Sequence, residues 1–286
     1  MGDVRSAYTC ARDLPHALEV LAAAPLVPLA GGTDVYPARV GRDGHAAVLD
    51  LGRLDELRFI ERDADGLHLG ALTTWHDLIR TDLPRGLHGL VAAAREVGST
   101  QIQRAGTIAG NLCNASPAAD GVPPLLTLDA EVELASLAGR RRLALDEFLT
   151  GYRATARRPD ELVVAIHLPS AALEHASAFV KLGSRRYLVI SIAMVAVAFD
   201  LAEGRLDDVR IAVGACSPVA RRLGALEAAL EGAAPEGIRD RLDGVDLGLA
   251  PIDDVRGSAG YRVEVAARLV ERAVEAALGG VTGIAA

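Results

Sequence analysis

Lysine is nearly missing from this chain. Of its 30 basic residues one is lysine, Lys181, and the rest are arginine. A coding bias toward arginine accounts for most of that, so a position that kept lysine is a candidate for needing a compact point charge. Aromatic residues are 3% of the sequence, too few for base-stacking platforms, and a formal net charge of -8 disfavours nucleic acid as a partner. Cysteine is scarce: Cys10, Cys113 and Cys216 lie far apart with no Cys-x-x-Cys. That excludes a disulfide framework and an iron–sulfur or zinc site within the chain. The seven histidines (16, 45, 68, 76, 88, 167 and 175) show no metal-ligand spacing. The longest apolar run, Leu188 to Leu201, is broken by Ser191 and Asp200 and is too short to span a bilayer. Met1 to Arg12 is polar and lacks an apolar signal core. These absences read as a cytoplasmic protein without a membrane span.

What is present is a globular composition. Half of the 286 residues are apolar, interrupted every few positions by Arg, Asp or Glu, enough for two or three domains with real cores. A first unit reads as a helix over Asp13–Ala24, a strand over Leu26–Ala30, a helix over Val35–Val40 and a strand over Ala46–Leu51. A second unit begins near Leu57. It has strands over Arg58–Arg62 and Leu67–Leu72, helices over Thr74–Thr81, Gly89–Val97 and Pro123–Leu128, a hairpin over Glu131–Ala135 and Arg141–Leu145, and a strand over Glu161–Leu168. A third begins near Ser177. Ala178–Leu182, Val189–Leu201 and Asp207–Ala215 alternate like antiparallel strands, followed by helices over Ala220–Leu230 and Ser258–Leu278. Gly232 to Arg256 is turn-rich. There is no internal repeat.

Two glycine-bearing segments carry the chemical signal: Ala30-Gly31-Gly32-Thr33-Asp34 and Thr107-Ile108-Ala109-Gly110-Asn111. Glycine lets a backbone approach a ligand closely, and successive N–H groups in such a turn form an anion-binding concavity. Two such loops fit a ligand with a pyrophosphate and a group at either end. The first is either a pyrophosphate cradle or an ordinary strand-to-helix turn with Asp34 as a cap. From Asn111 the chain runs through a polar stretch without period to Asp120, which reads either as an acceptor for ribose hydroxyls or as the N-cap of the following helix. Arg140-Arg141-Arg142 reads as a solvated hairpin, and Trp75 as packing.

In order along the chain stand Ala-Gly-Gly-Thr-Asp, Gly70-Ala71-Leu72-Thr73-Thr74, Gln101-Ile102-Gln103, Thr-Ile-Ala-Gly-Asn, Ala-Ser-Pro-Ala-Ala-Asp ending at Asp120, Pro159-Asp160-Glu161-Leu162, Phe179-Val180-Lys181-Leu182 with Arg185-Arg186, and Ser258-Ala259-Gly260-Tyr261-Arg262. This series resembles the FAD-binding medium subunit of the molybdenum hydroxylases, the family of the carbon monoxide dehydrogenase medium chain and the xanthine dehydrogenase flavin subunit, over essentially the whole length. The resemblance implies an α+β fold. Residues 1–56 and 57–174 would be two subdomains clasping FAD, similar to the vanillyl-alcohol-oxidase class. Residues 175–286 would be a small α+β domain with a three-stranded antiparallel sheet.

It also implies roles. Ala30, Gly31, Gly32, Thr33 and Asp34 would carry the pyrophosphate, and Thr107, Ile108, Ala109, Gly110 and Asn111 would hold FAD from the second subdomain. Asp120 would match the acidic cofactor ligand, Leu162 and Val163 would lie against the isoalloxazine, and Lys181 would match a basic residue at the flavin. Val97 matches a position often bulkier, and Ala109 replaces the first glycine of the usual Thr-Ile-Gly-Gly-Asn. No residue is assigned as catalytic or metal-binding. The implied role is electron transfer, from 2Fe-2S clusters of a small partner subunit, with substrate oxidised at the molybdopterin of a large one, to NAD+, quinone or oxygen. The implied assembly is a heterotrimer that dimerises, and the implied substrate a purine or other N-heterocycle. A stand-alone flavin oxidase would need a catalytic base and substrate cavity, neither of which the sequence displays. A non-catalytic nucleotide-binding module is the other alternative.

Overall fold

The computed structural model describes residues 8–41, 47–242 and 244–282. It is a mixed helix-and-sheet protein with three principal sheets. The first is parallel, with β1 (Tyr8–Cys10), β2 (Val27–Leu29) and β3 (Val48–Asp50) in the order β1-β3-β2. The helix Leu14–Ala23 carries the chain from β1 to β2, which lie on either side of β3. Asp13 caps that helix, its side chain accepting from the His16 N–H at 2.8 Å, and Pro15 sits in the first turn where a missing N–H costs nothing. Its buried face is Ala17, Leu18 and Leu21. The helix expected over 35–40 is instead a run of turns ending in a short 3-10 segment, Pro37–Arg39. Pro37 has no N–H for an interior helical bond. The strand expected from Ala46 is β3; Ala46 itself lies outside the described residues, as does most of the polar N-terminal stretch.

The second sheet holds β4 (Ile60–Arg62), β5 (Gly66–Gly70), β6 (Glu131–Ser136) and β7 (Gly139–Ala144). A small hairpin follows, β8 (Leu149–Gly151) with β9 (Ala154–Thr155), and then the central strand β10 (Leu162–Pro169). The order is β4-β5-β10-β6-β7, antiparallel throughout. Leu162 to Leu168 is buried without interruption because both faces are covered. Leu162 and Val164 enter the core under the first sheet, with Leu18 and Leu49. Val163, Ile166 and Leu168 enter the core built by Trp75, Leu90, Ile108, Leu112 and Leu125 of the helices. The pairing with β6 shifts register between Val163 and Ala165.

Arg140 and Arg142 are exposed, as a solvated hairpin would have them, but Arg141 is not. Alternation along β7 sends Arg140 and Arg142 to Glu133, at 2.7 and 3.6 Å, and Arg141 to the other face. There Arg141 forms a two-pronged pair with the buried Glu161, at 2.7 and 2.8 Å. The Glu161 carboxylate also accepts from the Arg158 N–H at 2.7 Å. This knot fixes the chain one residue before Leu162.

The third sheet is antiparallel: β11 (Ala176–Leu182), β12 (Ala193–Ala202), β13 (Arg205–Gly214) and β14 (Arg221–Arg222). The two-residue β14 makes it four-stranded where three strands were expected. It takes the start of the stretch read as one helix, which begins only at Gly224. The helix Ala259–Thr282 covers one face through Ala266, Val270 and Val274. Phe179, Met194 and Ala196 on the other face meet Ala93 of the helix His88–Glu96. That contact brings the end of β11 beside the second unit. No helix among the described residues is long and apolar enough to cross a membrane.

Candidate functional site

A cleft of about 920 Å³ opens where the three sheets converge. All of the residues assigned to the cofactor from the sequence line it, except Ile108. Ile108 is fully buried in the helical core, so its side chain supports the wall from behind.

The first glycine segment leaves β2 as a tight turn. Gly32 has φ +69°, a conformation that side chains with a Cβ adopt at a cost. The ring of Tyr36 packs directly beneath it, 2.5 Å from where a Cβ would stand. Gly31 is constrained differently. A Cβ there would collide with the carbonyl of Ala105, at the end of the helix Thr100–Ala105. Its bareness therefore serves contact between two parts of the chain as well as an open cleft wall. The turn is closed by its own backbone, Tyr36 N–H to Gly32 O at 3.1 Å and Ala38 N–H to Asp34 O at 3.2 Å, with Asp34 exposed.

The second glycine segment is not a loop. It begins the helix Ile108–Asn114, and Thr107 is its N-cap, the hydroxyl accepting from the Gly110 N–H at 3.1 Å. Ile108 N–H donates to Thr73 O at 3.0 Å, fixing this start against that of the helix Trp75–Arg80. Ala109 is helical and 5% exposed, so its methyl group fits without strain. The Oδ1 of Asn111 is buried in the cleft wall without a hydrogen-bond partner in the protein. A buried unpaired acceptor of this kind calls for a donor from a ligand.

Asp120 does not cap the helix Val122–Thr127; Gly121 occupies that position. Its carboxylate instead accepts from Lys181 Nζ and from Ser191 Oγ, each at 2.6 Å. Lys181 and Asp120 retain 6% and 8% of their side-chain exposure. Burial pushes the Asp120 carboxyl above its ordinary value, while Lys181 and Ser191 pull it back. The one lysine of the chain is thus half of a buried ion pair whose charge is already matched.

The floor is apolar, formed by Leu162 and Val163 at the start of β10. Arg153 and Arg157 also line the cleft, from the hairpin before β10, and sequence reading missed them. Arg153 has φ +50° and donates to Asn114 Oδ1 at 2.5 Å; Arg157 donates to Glu161 O at 2.7 Å. A signal existed, since both flank the Pro159–Leu162 motif. Among the described residues no group of three or more His, Cys, Asp or Glu side chains is placed to hold a metal ion.

Comparison with known proteins gives the family. Residues 3–171 match the FAD binding domain in molybdopterin dehydrogenase, and residues 178–277 the CO dehydrogenase flavoprotein C-terminal domain. The chain belongs to this flavoprotein family. The flavoprotein is 31% identical to the glyceraldehyde dehydrogenase medium chain of Sulfolobus acidocaldarius, over 93% of this chain and 96% of that one. It is 35% identical to the xanthine dehydrogenase FAD-binding subunit of Escherichia coli O157:H7, over 74% and 75%. The solved carbon monoxide dehydrogenase of Hydrogenophaga pseudoflava superposes with a TM-score of 0.88 at 28% identity, covering 98% and 99%. The protein is thus the FAD-binding medium subunit of a xanthine dehydrogenase/carbon monoxide dehydrogenase-type oxidoreductase. The cleft suits FAD. It has a bare turn at φ +69°, an unsatisfied carboxamide oxygen, an apolar floor for a flat ring and a volume at the upper end of ligand sites.

Proposed function

We propose that this subunit carries electrons within a molybdenum hydroxylase, taking them from iron–sulfur clusters of a small partner chain and passing them to NAD+, quinone or oxygen. Substrate oxidation belongs to a large molybdopterin-bearing partner, and the three chains form a heterotrimer that dimerises. The single observation that carries this reading is the cleft's character. It offers glycine backbone, an apolar floor and a neutralised ion pair. Relatives named for xanthine, nicotinate and nicotine support a purine or another N-heterocycle as substrate of the complex.

FAD supplies the redox chemistry when bound; the protein supplies orientation and electrostatics. The Gly31–Gly32 turn and the start of the helix Ile108–Asn114 would hold its pyrophosphate and sugar portions, with Thr33, Thr107 and Asn111 offering polar side-chain atoms. Leu162 and Val163 would bear the ring, where an apolar surface suits a flat aromatic system. Lys181 and Asp120 would set a local charge near zero. Residues 1–56 and 57–174 would act as the two jaws of a vanillyl-alcohol-oxidase-like binding unit, with 175–286 closing the end.

Co-expression with candidate small and large chains tests the assembly. The expected result is a complex containing FAD, iron–sulfur and molybdopterin in which an N-heterocycle reduces the flavin. Direct oxidation of the heterocycle by the isolated chain would overturn the reading.

A further inference from the structure

A row of polar side chains crosses the second sheet, and none of them lines the cleft. It starts at Asp63 in the turn between β4 and β5, where Oδ1 accepts from the Asp65 and Gly66 N–H groups at 2.9 and 3.1 Å. The same oxygen meets Nε2 of His68, on β5, at 2.9 Å. Nδ1 of His68 meets Nδ1 of His167, on β10, at 2.7 Å. Nε2 of His167 meets Oε2 of Glu133, on β6, at 2.6 Å, and the other oxygen of Glu133 accepts from Arg140, on β7, at 2.7 Å. His68, His167 and Glu133 keep only 16%, 11% and 10% of their side-chain exposure. Glu61 on β4 stands beside His68 in register, Glu131 on β6 stands beside His167, and Arg142 lies 3.6 Å from Glu133.

The row is one proton short if both rings are neutral. An ionised carboxylate only accepts, so each Nε2 that faces one must carry a hydrogen. His68 and the N–H groups of its own turn keep Asp63 ionised. Burial would raise the Glu133 carboxyl, but Arg140 and His167 hold it below its ordinary value. A neutral imidazole has one N–H, and in both rings that N–H lies at Nε2. Two neutral rings would then meet lone pair to lone pair at 2.7 Å. A further proton between the Nδ1 atoms turns that repulsion into a charge-assisted hydrogen bond. We propose that His68 and His167 are one proton-binding site, an imidazole–imidazolium pair whose shared proton completes a hydrogen-bonded row from the β4–β5 turn to β7. The pair takes one charge and not two. Burial lowers the His167 imidazolium, and Arg142 and His68 act in the same direction against Glu133. The shared proton is itself held more tightly than that of a free histidine, because its loss restores the lone-pair conflict. That loss leaves the β5–β10 ladder and the bond from Ser170 N–H to Asp65 O in place. The fold therefore persists and its stability falls. The site does not depend on the FAD reading.

Nitrogen NMR of the full-length chain labelled at histidine, titrated from about pH 5 to about pH 9, reads the pair directly. His68→Gln and His167→Gln assign its signals. The expected result is one inflection shared by both rings, above the ordinary histidine value of about 6.5, with both Nε2 atoms protonated throughout. Rings that titrate separately at or below that value, or two neutral rings at about pH 6, would overturn the pair. Urea unfolding gives a second readout. A raised folded pKa gives stability that is present below the unfolded value and is lost as pH rises through the folded one. The unfolding constant of the parent, taken relative to that of His68→Gln, should therefore rise about tenfold between about pH 6 and about pH 8.5, the effect of holding the proton about one pH unit more tightly. A ratio that does not change with pH would overturn the proposal. Should the glutamine variants fail to fold, the parent titration still decides, since coupling between two Nδ1 nuclei across the shared proton identifies the pair.

Discussion

The two glycine segments border the same cleft with similar residues and unlike backbones. Each pairs small or bare residues with a hydroxyl and a carboxylate or carboxamide. Ala30–Asp34 is a turn with one residue in the left-handed region, pressed against another part of the chain; Thr107–Asn111 is a capped helix start with its apolar residue in the core. The difference teaches that the first segment demands glycine for its backbone conformation and a neighbouring carbonyl, while the second is bare only beside its own cap, where a Cβ on Gly110 would stand 2.9 Å from Thr107 Oγ1. In the turn, glycine answers both a positive φ and a neighbouring carbonyl. In the helix the hydroxyl of Thr107 organises the backbone, and Ala109 has already replaced one glycine of the family's usual pair.

Substitutions break this comparison in order of size. Gly31→Ala should do most damage, because its Cβ would occupy the Ala105 carbonyl. We expect a loss of about 3 kcal/mol by urea unfolding and abolished FAD binding. Gly32→Ala should cost about 2 kcal/mol, from the positive φ and the Tyr36 ring, with part of that recovered in Gly32→Ala/Tyr36→Ala. An unaltered loss in the double variant would remove Tyr36 from the account.

The wall shared by both segments should respond next. Glu161→Gln breaks the pair with Arg141 behind Leu162 and should cost about 2 kcal/mol. The Arg141 guanidinium holds the Glu161 carboxyl below its ordinary value of 4.5. A depressed folded pKa gives stability that is present above the unfolded value and is lost as pH falls through the folded one. The parent should therefore lose stability more steeply than Glu161→Gln as pH drops below about 4.5. Parallel acid limbs in pH-dependent unfolding would contradict the pairing.

The second segment should be milder. Thr107→Ala loses the cap and should cost about 1 kcal/mol, restored by Thr107→Ser. Ala109→Gly should cost about 0.5 kcal/mol through helix entropy and leave FAD affinity unchanged. A gain in affinity from Ala109→Gly would show that the second segment needs bare backbone too.

Much of this was legible in sequence because the signals are local. A continuous apolar run marks β12, and the glycine pair marks the first turn. The second segment was read as a loop although Ile108 and Leu112, four apart on one helical face, sit behind a Thr cap; the run is too short for periodicity to speak clearly. The three consecutive arginines hid a strand alternation that sends Arg141 inward to Glu161. β1 and the β8–β9 hairpin are two or three residues each and carry no pattern. The Asp120–Lys181 pair was illegible for a different reason. Both residues were singled out, but their meeting depends on the third sheet packing onto the second unit, and no local rule reports a contact across 61 residues.

The most direct test of the central claim, that one FAD spans the cleft from the Gly31–Gly32 turn to the β10 floor, is flavin titration of the purified apo chain followed by fluorescence quenching. The account predicts one FAD per chain, FMN binding roughly a hundredfold weaker because it lacks the portion held by the turn, and no FAD binding by Gly31→Ala. FMN binding as tightly as FAD, or Gly31→Ala binding like the parent, would contradict it.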